Sequence, residues 1–242
     1  MNAIERTIRD VVIANRILAL YNVLDAYGHV SMRHPERHDR YFLARSISPA
    51  IVDVGDVIEF NLDGTPVDAG ERRGLYVERF IHSGVYETRA DAKAVLHSHA
   101  DDLLPFSISK HTRLRPVIQN VGTIGHNVLV WDIADNFGDE TTLLVTNMEQ
   151  GRDLAHCLDC SALALMRGHG FVCVGRSIKE LVRLSVFIPR NARVQLAAMQ
   201  MGEYKALSRG EIEARFKLDL DSPGMNRSWE YWAREAGCED LL

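Results

Sequence analysis

Three histidines and one glutamate are the residues of this 242-residue chain whose types and spacing could do chemistry. His97 and His99 lie in the run Ala94-Val95-Leu96-His97-Ser98-His99-Ala100. Its apolar and β-branched content predicts a short buried strand, on which residues two apart share a face. Two imidazoles side by side on a rigid backbone are half of a transition-metal site. The plainer alternative is one buried, hydrogen-bonded histidine and one exposed. His169 stands between Gly168 and Gly170 at the head of another expected strand. Glycine on both sides permits a tight turn and a close approach, so His169 could complete a His₃ set with a coordination position left open. Read alone, it is equally a turn histidine. Glu78 falls near the start of a helical pattern just before the His-x-His strand, where an isolated glutamate is ordinarily a solvated helix carboxylate.

The elements that must position these residues follow from periodicity. Ile4, Ile8, Val11 or Val12, and Leu18 predict a helix over 3–26, with Gly28 as its stop. Strands are expected at His29–Arg33 and Tyr41–Arg45, around a polar hairpin loop. A further strand within Gly55–Gly64 should end in the Asp63-Gly64 turn and have a short return strand. Val77, Ile81 and Val85 predict a helix over 77–88. After the His-x-His strand, Val117–Asn120, Asn127–Trp131 and Thr141–Thr146 read as strands. Asn147 with Gln150 reads as a capping box for a helix reaching about Met166, and Phe171–Val174 as a strand. Ser177 with Glu180 caps a second long helix that Pro189 should kink, and a C-terminal helix carries Trp229, Tyr231 and Trp232. Strands cluster centrally with helices around them. The expected architecture is therefore a single α/β domain over 1–242, three-layered α/β/α around a central, mainly antiparallel or mixed sheet.

Composition narrows the classes. Hydrophobic residues at 46% and charged residues at 25% are ordinary for a globular protein. A net charge of −5 without a basic run argues against nucleic acid as a partner. No apolar run approaches ~18 residues, so no membrane partner and a cytoplasmic location are expected. Four cysteines in a chain this long are no disulfide framework, and Cys157 and Cys160 read as reduced helix residues.

Taken in order, Gly28-His29-Val30-Ser31, Glu78-Arg79-Phe80-Ile81-His82, Asp91-Ala92-Lys93-Ala94-Val95-Leu96-His97-Ser98-His99-Ala100 and Gly168-His169-Gly170 resemble the class II aldolase/adducin family. The likeness runs over nearly the whole chain, and the Asp-Ala-x-Ala-Val-x-His-x-His run is its most specific part. It implies a class II aldolase-like fold in which His97, His99 and His169 bind one divalent metal per subunit: zinc, manganese or iron. It implies Glu78 as the catalytic acid/base, able to touch the metal before substrate arrives. It also implies a homo-oligomer, expected to be a tetramer with active sites near the interfaces, for which Trp229, Tyr231 and Trp232 are candidate contacts.

The departures point to a branch. Sugar-phosphate aldolases of the family hold phosphate with a Gly-Asn-x-Ser, a Thr-Gly turn and a Ser-Ser pair. Here the stretches read Gly28-His29-Val30-Ser31, Ser48-Pro49-Ala50 and Tyr76-Val77. Proline lacks an N–H, and tyrosine-valine is a poor phosphate cradle, so a phosphorylated substrate is not expected. The Gly-His-Val-Ser form, with the run from Phe42 to Pro49, is similar instead to the branch that decarboxylates hydroxyarene or hydroxypyridine carboxylates. Such a reaction needs a Lewis acid on the oxygen that receives electrons, and a proton to replace CO₂. Glu78 would deliver that proton if burial raises its pKa. Arg45 is a candidate for a second substrate carboxylate, or else a salt-bridge residue. His29 is a candidate for the ring hydroxyl, and Ser31 and Ser48 for further substrate contacts. An aldolase for a non-phosphorylated substrate, an iron-dependent oxygenase-like activity and an adducin-like binding module are the alternatives.

Overall fold

The computed structural model describes residues 1–242. One seven-stranded sheet forms its centre, from β1 (His29–Arg33), β2 (Arg40–Ala44), β3 (Val57–Asn61), β4 (Ala94–Ser98), β5 (Leu129–Trp131), β6 (Leu163–Met166) and β7 (Gly170–Gly175). The order across it is β3-β2-β1-β4-β7-β6-β5. Every neighbouring pair is antiparallel except β5 with β6, so the sheet is mixed and the α/β class holds. The helices are α1 (Ala3–Leu20), α2 (Arg79–Thr88), α3 (Leu104–Ile108), α4 (Ile133–Phe137), α5 (Met148–Leu158), α6 (Ile178–Met201), α7 (Arg209–Phe216) and α8 (Pro223–Glu235).

The pleat of β4 divides the core. Ala94 and Leu96 point to one face and join α1, α6 and α8 in one apolar cluster. Val95 points to the other face and joins α2 and α5 in a second cluster. His97 shares the parity of Val95 and therefore faces the α2/α5 layer. His29 pairs with His97 across β1 and β4, and Ser31 with Val95, so both β1 side chains face that layer too.

The α2/α5 contact depends on two glycines. A Cβ on Gly151 of α5 would stand 2.2 Å from the Phe80 carbonyl oxygen, and one on Gly84 of α2 would stand 2.3 Å from the Gly151 carbonyl oxygen. Gly151→Ala should therefore force the helices apart. An overpacking cost of about 1–3 kcal/mol is expected, a fall in Tm of roughly 2–4 °C for each kcal/mol, readable by thermal unfolding.

Several elements differ from expectation. α1 stops at Leu20, not near residue 26. Gly28 is not its cap; it sits where a Cβ would press on Leu24 and the His97 carbonyl. The return strand after Gly64 is a single bridge, Phe60 to Pro66, and residues 119–124 form a 3₁₀ turn rather than a strand. Thr141–Thr146 is not a strand either. It pairs with no strand, and the Val145 N–H donates to Glu78 instead of a ladder. The helix from Asn147 ends at Leu158, where Asp159 takes a positive φ, which places Cys160 outside it; both cysteines are free thiols. Leu163–Met166 then runs as a strand buried throughout. A strand covered on both faces is continuously apolar and carries no period to separate it from a helix. α6 runs through Pro189 as one 24-residue helix. Trp229 and Trp232 are buried inside the subunit, so only Tyr231 of the three aromatics stays exposed. No helix is long and apolar enough to cross a membrane.

Candidate metal centre and cavity

Four side chains from three elements converge at one end of β4. His97 is its penultimate residue and His99 follows it directly. His169 comes from the β6–β7 turn, where Gly168 adopts φ +62°. Gly170 lets that turn approach β4, since a Cβ there would lie 2.2 Å from the Ser98 carbonyl oxygen. Glu78 occupies the N-cap position of α2, a residue outside the helix proper.

One ligand atom from each of Glu78, His97, His99 and His169 lies within 4.8 Å of all the others. His99 Nε2 is 2.9 Å from His97 Nε2 and 3.2 Å from His169 Nε2. Glu78 Oε2 is 3.3 Å from His97 Nε2 and 3.5 Å from His169 Nε2. Ligands bound at 2.0–2.1 Å with angles of 90–110° stand about 2.9–3.4 Å apart, so the spacing fits a transition ion. The outer nitrogens add to the fit. His97 Nδ1 is 3.2 Å from the Phe171 carbonyl, and His99 Nδ1 is 3.1 Å from Asp25 Oδ2. Donating Nδ1–H to these acceptors leaves each Nε2 with its lone pair facing the centre, as metal-bound histidines are normally held. Asp25 is itself fixed by the Tyr27 and Gly28 N–H groups at 2.8 and 2.9 Å.

Burial pushes the Glu78 carboxyl up, but His97 and His169 beside it outweigh that and hold it well below the usual carboxylate range. The protonated resting state expected from burial is thus corrected: Glu78 rests as a carboxylate. Its Oε1 accepts the Val145 N–H at 3.0 Å.

The cluster lies on the wall of a cavity of about 480 Å³, within the range of small-molecule sites. His29, Ser46, Leu75, Tyr76 and Leu144 line it beside Glu78, His99 and His169. His29 packs against Tyr76 with ring centroids 4.4 Å apart, and the Tyr76 hydroxyl donates to the Ile47 carbonyl. The other substrate candidates lie elsewhere. Ser31 is fully buried beneath the cavity, bonded to His82 and Tyr86. Arg45 pairs with Asp56 at 2.7 Å and is not on the cavity wall, which its neighbour Ser46 reaches instead. Ser48 leads into a 3₁₀ turn at Pro49 and is also off the wall.

Sequence reasoning missed Asp25, Tyr76 and His82 as parts of the site. Asp25 left only an Asp-x-x-Gly turn signal, and His82 its i+4 spacing from Glu78. His82 Nε2 is 2.6 Å from His29 Nδ1 and both rings are buried. Burial pushes His82 down to about 3 and holds His29 well below the ordinary histidine value, so both imidazoles are neutral.

Comparison with known proteins decides the family. The profile of the class II aldolase and adducin N-terminal domain matches residues 9–196. The chain belongs to that family. The profile stops short of the C-terminal aromatic segment. A decarboxylase named tropJ, from Talaromyces stipitatus, is 34% identical, covering 94% of this chain and 93% of its own. The 3,4-dihydroxyphthalate decarboxylase of Arthrobacter keyseri is 24% identical, covering 79% of this chain and 78% of its own. Among solved structures, an aldolase II superfamily protein from Pseudomonas syringae has a TM-score of 0.79 at 23% identity, with 98% of this chain and 94% of that one covered. That likeness carries the fold.

Proposed function

We propose that this chain is a metal-dependent decarboxylase of an aromatic or heteroaromatic hydroxy acid, of the dihydroxyphthalate or hydroxymethylpyridine dicarboxylate kind. The observation that carries the reading is the placement of Glu78. Its carboxylate lies among three converging imidazoles and on the wall of a cavity that His29, Ser46, Leu75, Tyr76 and Leu144 also line. The decarboxylase relatives that span most of the chain support the same carbon–carbon lyase chemistry.

His97, His99 and His169 hold one divalent ion: zinc, manganese or iron. When bound, such an ion supplies a Lewis acid beside the oxygen that gains charge. Glu78 does the proton work from its resting carboxylate state. It takes the proton of the ring hydroxyl as substrate binds and returns it to the ring carbon bearing the carboxylate. The carbon–carboxylate bond then breaks, CO₂ leaves, and the bonding pair restores the ring. The phenolic oxygen is reprotonated from solvent, so one proton is consumed for each CO₂ released.

The 242 residues act as a single domain within a homo-oligomer. Tyr27, Val77 and Leu144 at the cavity wall are 75%, 53% and 40% exposed, apolar surface that a neighbouring subunit would cover.

The test is a panel of catechol, phthalate-type and hydroxypyridine carboxylates assayed for CO₂ release with and without added metal. Metal-dependent release from at least one is expected. Efficient cleavage of L-fuculose 1-phosphate, with no release from the panel, would return the chain to the aldolases.

A further inference from the structure

A chain of buried hydrogen bonds runs inward from the cavity and has a direction. His29 Nδ1 lies 2.6 Å from His82 Nε2, His82 Nδ1 lies 2.6 Å from Ser31 Oγ, and Ser31 Oγ lies 2.9 Å from the Tyr86 hydroxyl. All four residues are at most 2% exposed, so water does not complete any of these bonds.

The inner end sets the direction. The tyrosine hydroxyl proton must be donated, because an unpaired buried donor is costly. The nearby Tyr41 hydroxyl is bonded to Ser83 Oγ and makes no hydrogen bond to Tyr86; the remaining polar neighbours are the Val95 backbone N–H and the Arg33 guanidinium, whose carbon stands 4.7 Å from the ring centroid. Both are donors with nothing to accept a proton. Tyr86 therefore donates to Ser31 Oγ. The Ser31 hydroxyl proton then has His82 Nδ1 as its acceptor. With Nδ1 accepting, the one proton of neutral His82 is on Nε2 and is donated to His29 Nδ1. With that nitrogen accepting in turn, the one proton of neutral His29 is on Nε2, the ring nitrogen left for the cavity. The opposite direction would strand the Tyr86 proton, and so would a doubly protonated His82.

We infer that Tyr86, Ser31 and His82 lock His29 as an Nε2–H donor on the cavity wall, which makes His82 a positioning residue and requires an acceptor oxygen on the substrate at that point. His29 thus meets a carboxylate or phenolate oxygen, rather than accepting a proton from a neutral hydroxyl. The substrate half of the inference rests on the decarboxylase reading; the tautomer half stands without it.

The test uses the metal-loaded enzyme with ¹⁵N-labelled histidine, read by imidazole nitrogen NMR, with the His29 signals assigned from His29→Gln. Nε2 of both His29 and His82 should show the shift of a protonated nitrogen, and both Nδ1 that of a bare one. A proton on His29 Nδ1, or on both nitrogens, would overturn the lock whatever the enzyme's activity. Ser31→Ala is a small change that removes the donor to His82 Nδ1. It should leave metal content near normal and lower the melting transition by several degrees, because the Tyr86 hydroxyl loses its acceptor, while His29 shows a mixture of tautomers. On the substrate found by the panel, its kcat/KM should fall about tenfold or more. An unchanged His29 spectrum in Ser31→Ala would refute the relay. A mixed tautomer with unchanged kcat/KM would refute the contact between His29 and substrate. Failure of every panel compound would count against the decarboxylase reading alone, since the spectra need no substrate.

Discussion

Glu78→Gln should bind metal and substrate and turn over at least ~10²-fold more slowly, the usual scale for losing a general acid–base group. That factor corresponds to about 2.7 kcal/mol of transition-state stabilisation. Glutamine keeps the size of the side chain, and its carbonyl can still accept the Val145 N–H that Oε1 accepts now. What it lacks is a site that can take a proton from the ring hydroxyl and hand it to carbon. KM should therefore change little while kcat falls. The mutant should also lose exchange of the product's ring hydrogen with solvent deuterium, which is the carbon protonation step run in reverse. Metal content is measured in parallel, because Oε2 lies 3.3 Å from His97 Nε2 and a loss of metal would imitate a loss of proton transfer. A mutant that holds metal and decarboxylates at the wild-type rate would remove Glu78 from the proton path.

His97→Ala should abolish both activity and stoichiometric metal. His97 is fully buried, with Nδ1 near the Phe171 carbonyl and Nε2 facing the other three ligand atoms. Two remaining imidazoles rarely hold a catalytic ion tightly. His169→Ala should behave the same way. Asp25→Asn gives the graded comparison: it leaves the ligands in place and weakens only the acceptor for His99 Nδ1. A 10–100-fold loss of metal affinity is expected, the ordinary effect of such an outer partner. Elemental analysis of purified protein and metal titration of the stripped protein distinguish the three variants. Full occupancy and activity in His97→Ala would take it out of the site, and a wild-type protein that binds no metal would favour a binding module of the adducin kind.

The sequence by itself determined the pieces whose signal is local. The apolar, β-branched run before His97 marked a buried strand, and the two-residue period of a pleat put His97 and His99 on the same side. Gly168 and Gly170 marked a turn: Gly168 takes φ +62°, a region that favours glycine, and at Gly170 a Cβ would stand 2.2 Å from the Ser98 carbonyl oxygen. Asn147 and Ser177 marked two helix starts, since a cap satisfies N–H groups within its own turn; both side chains accept from the residue three further on. The family motif then joined these positions before any contact was visible.

Tertiary structure decided what depends on partners far along the chain. Thr141–Thr146 has a strand's composition, yet it pairs with no strand, and the Val145 N–H serves Glu78 instead. Leu163–Met166 has a helix former's composition, yet it lies between β5 and β7 and became a strand. Arg45 looked available for a carboxylate, but Asp56 from the next turn already holds it. The charge state of Glu78 was set by residues 19 and 91 positions away, whose imidazoles outweigh its burial. The tautomer of His29 is decided farther inside still. Its proton position follows from a tyrosine hydroxyl three hydrogen bonds away, a relation that only the packing of α2 against β1 creates.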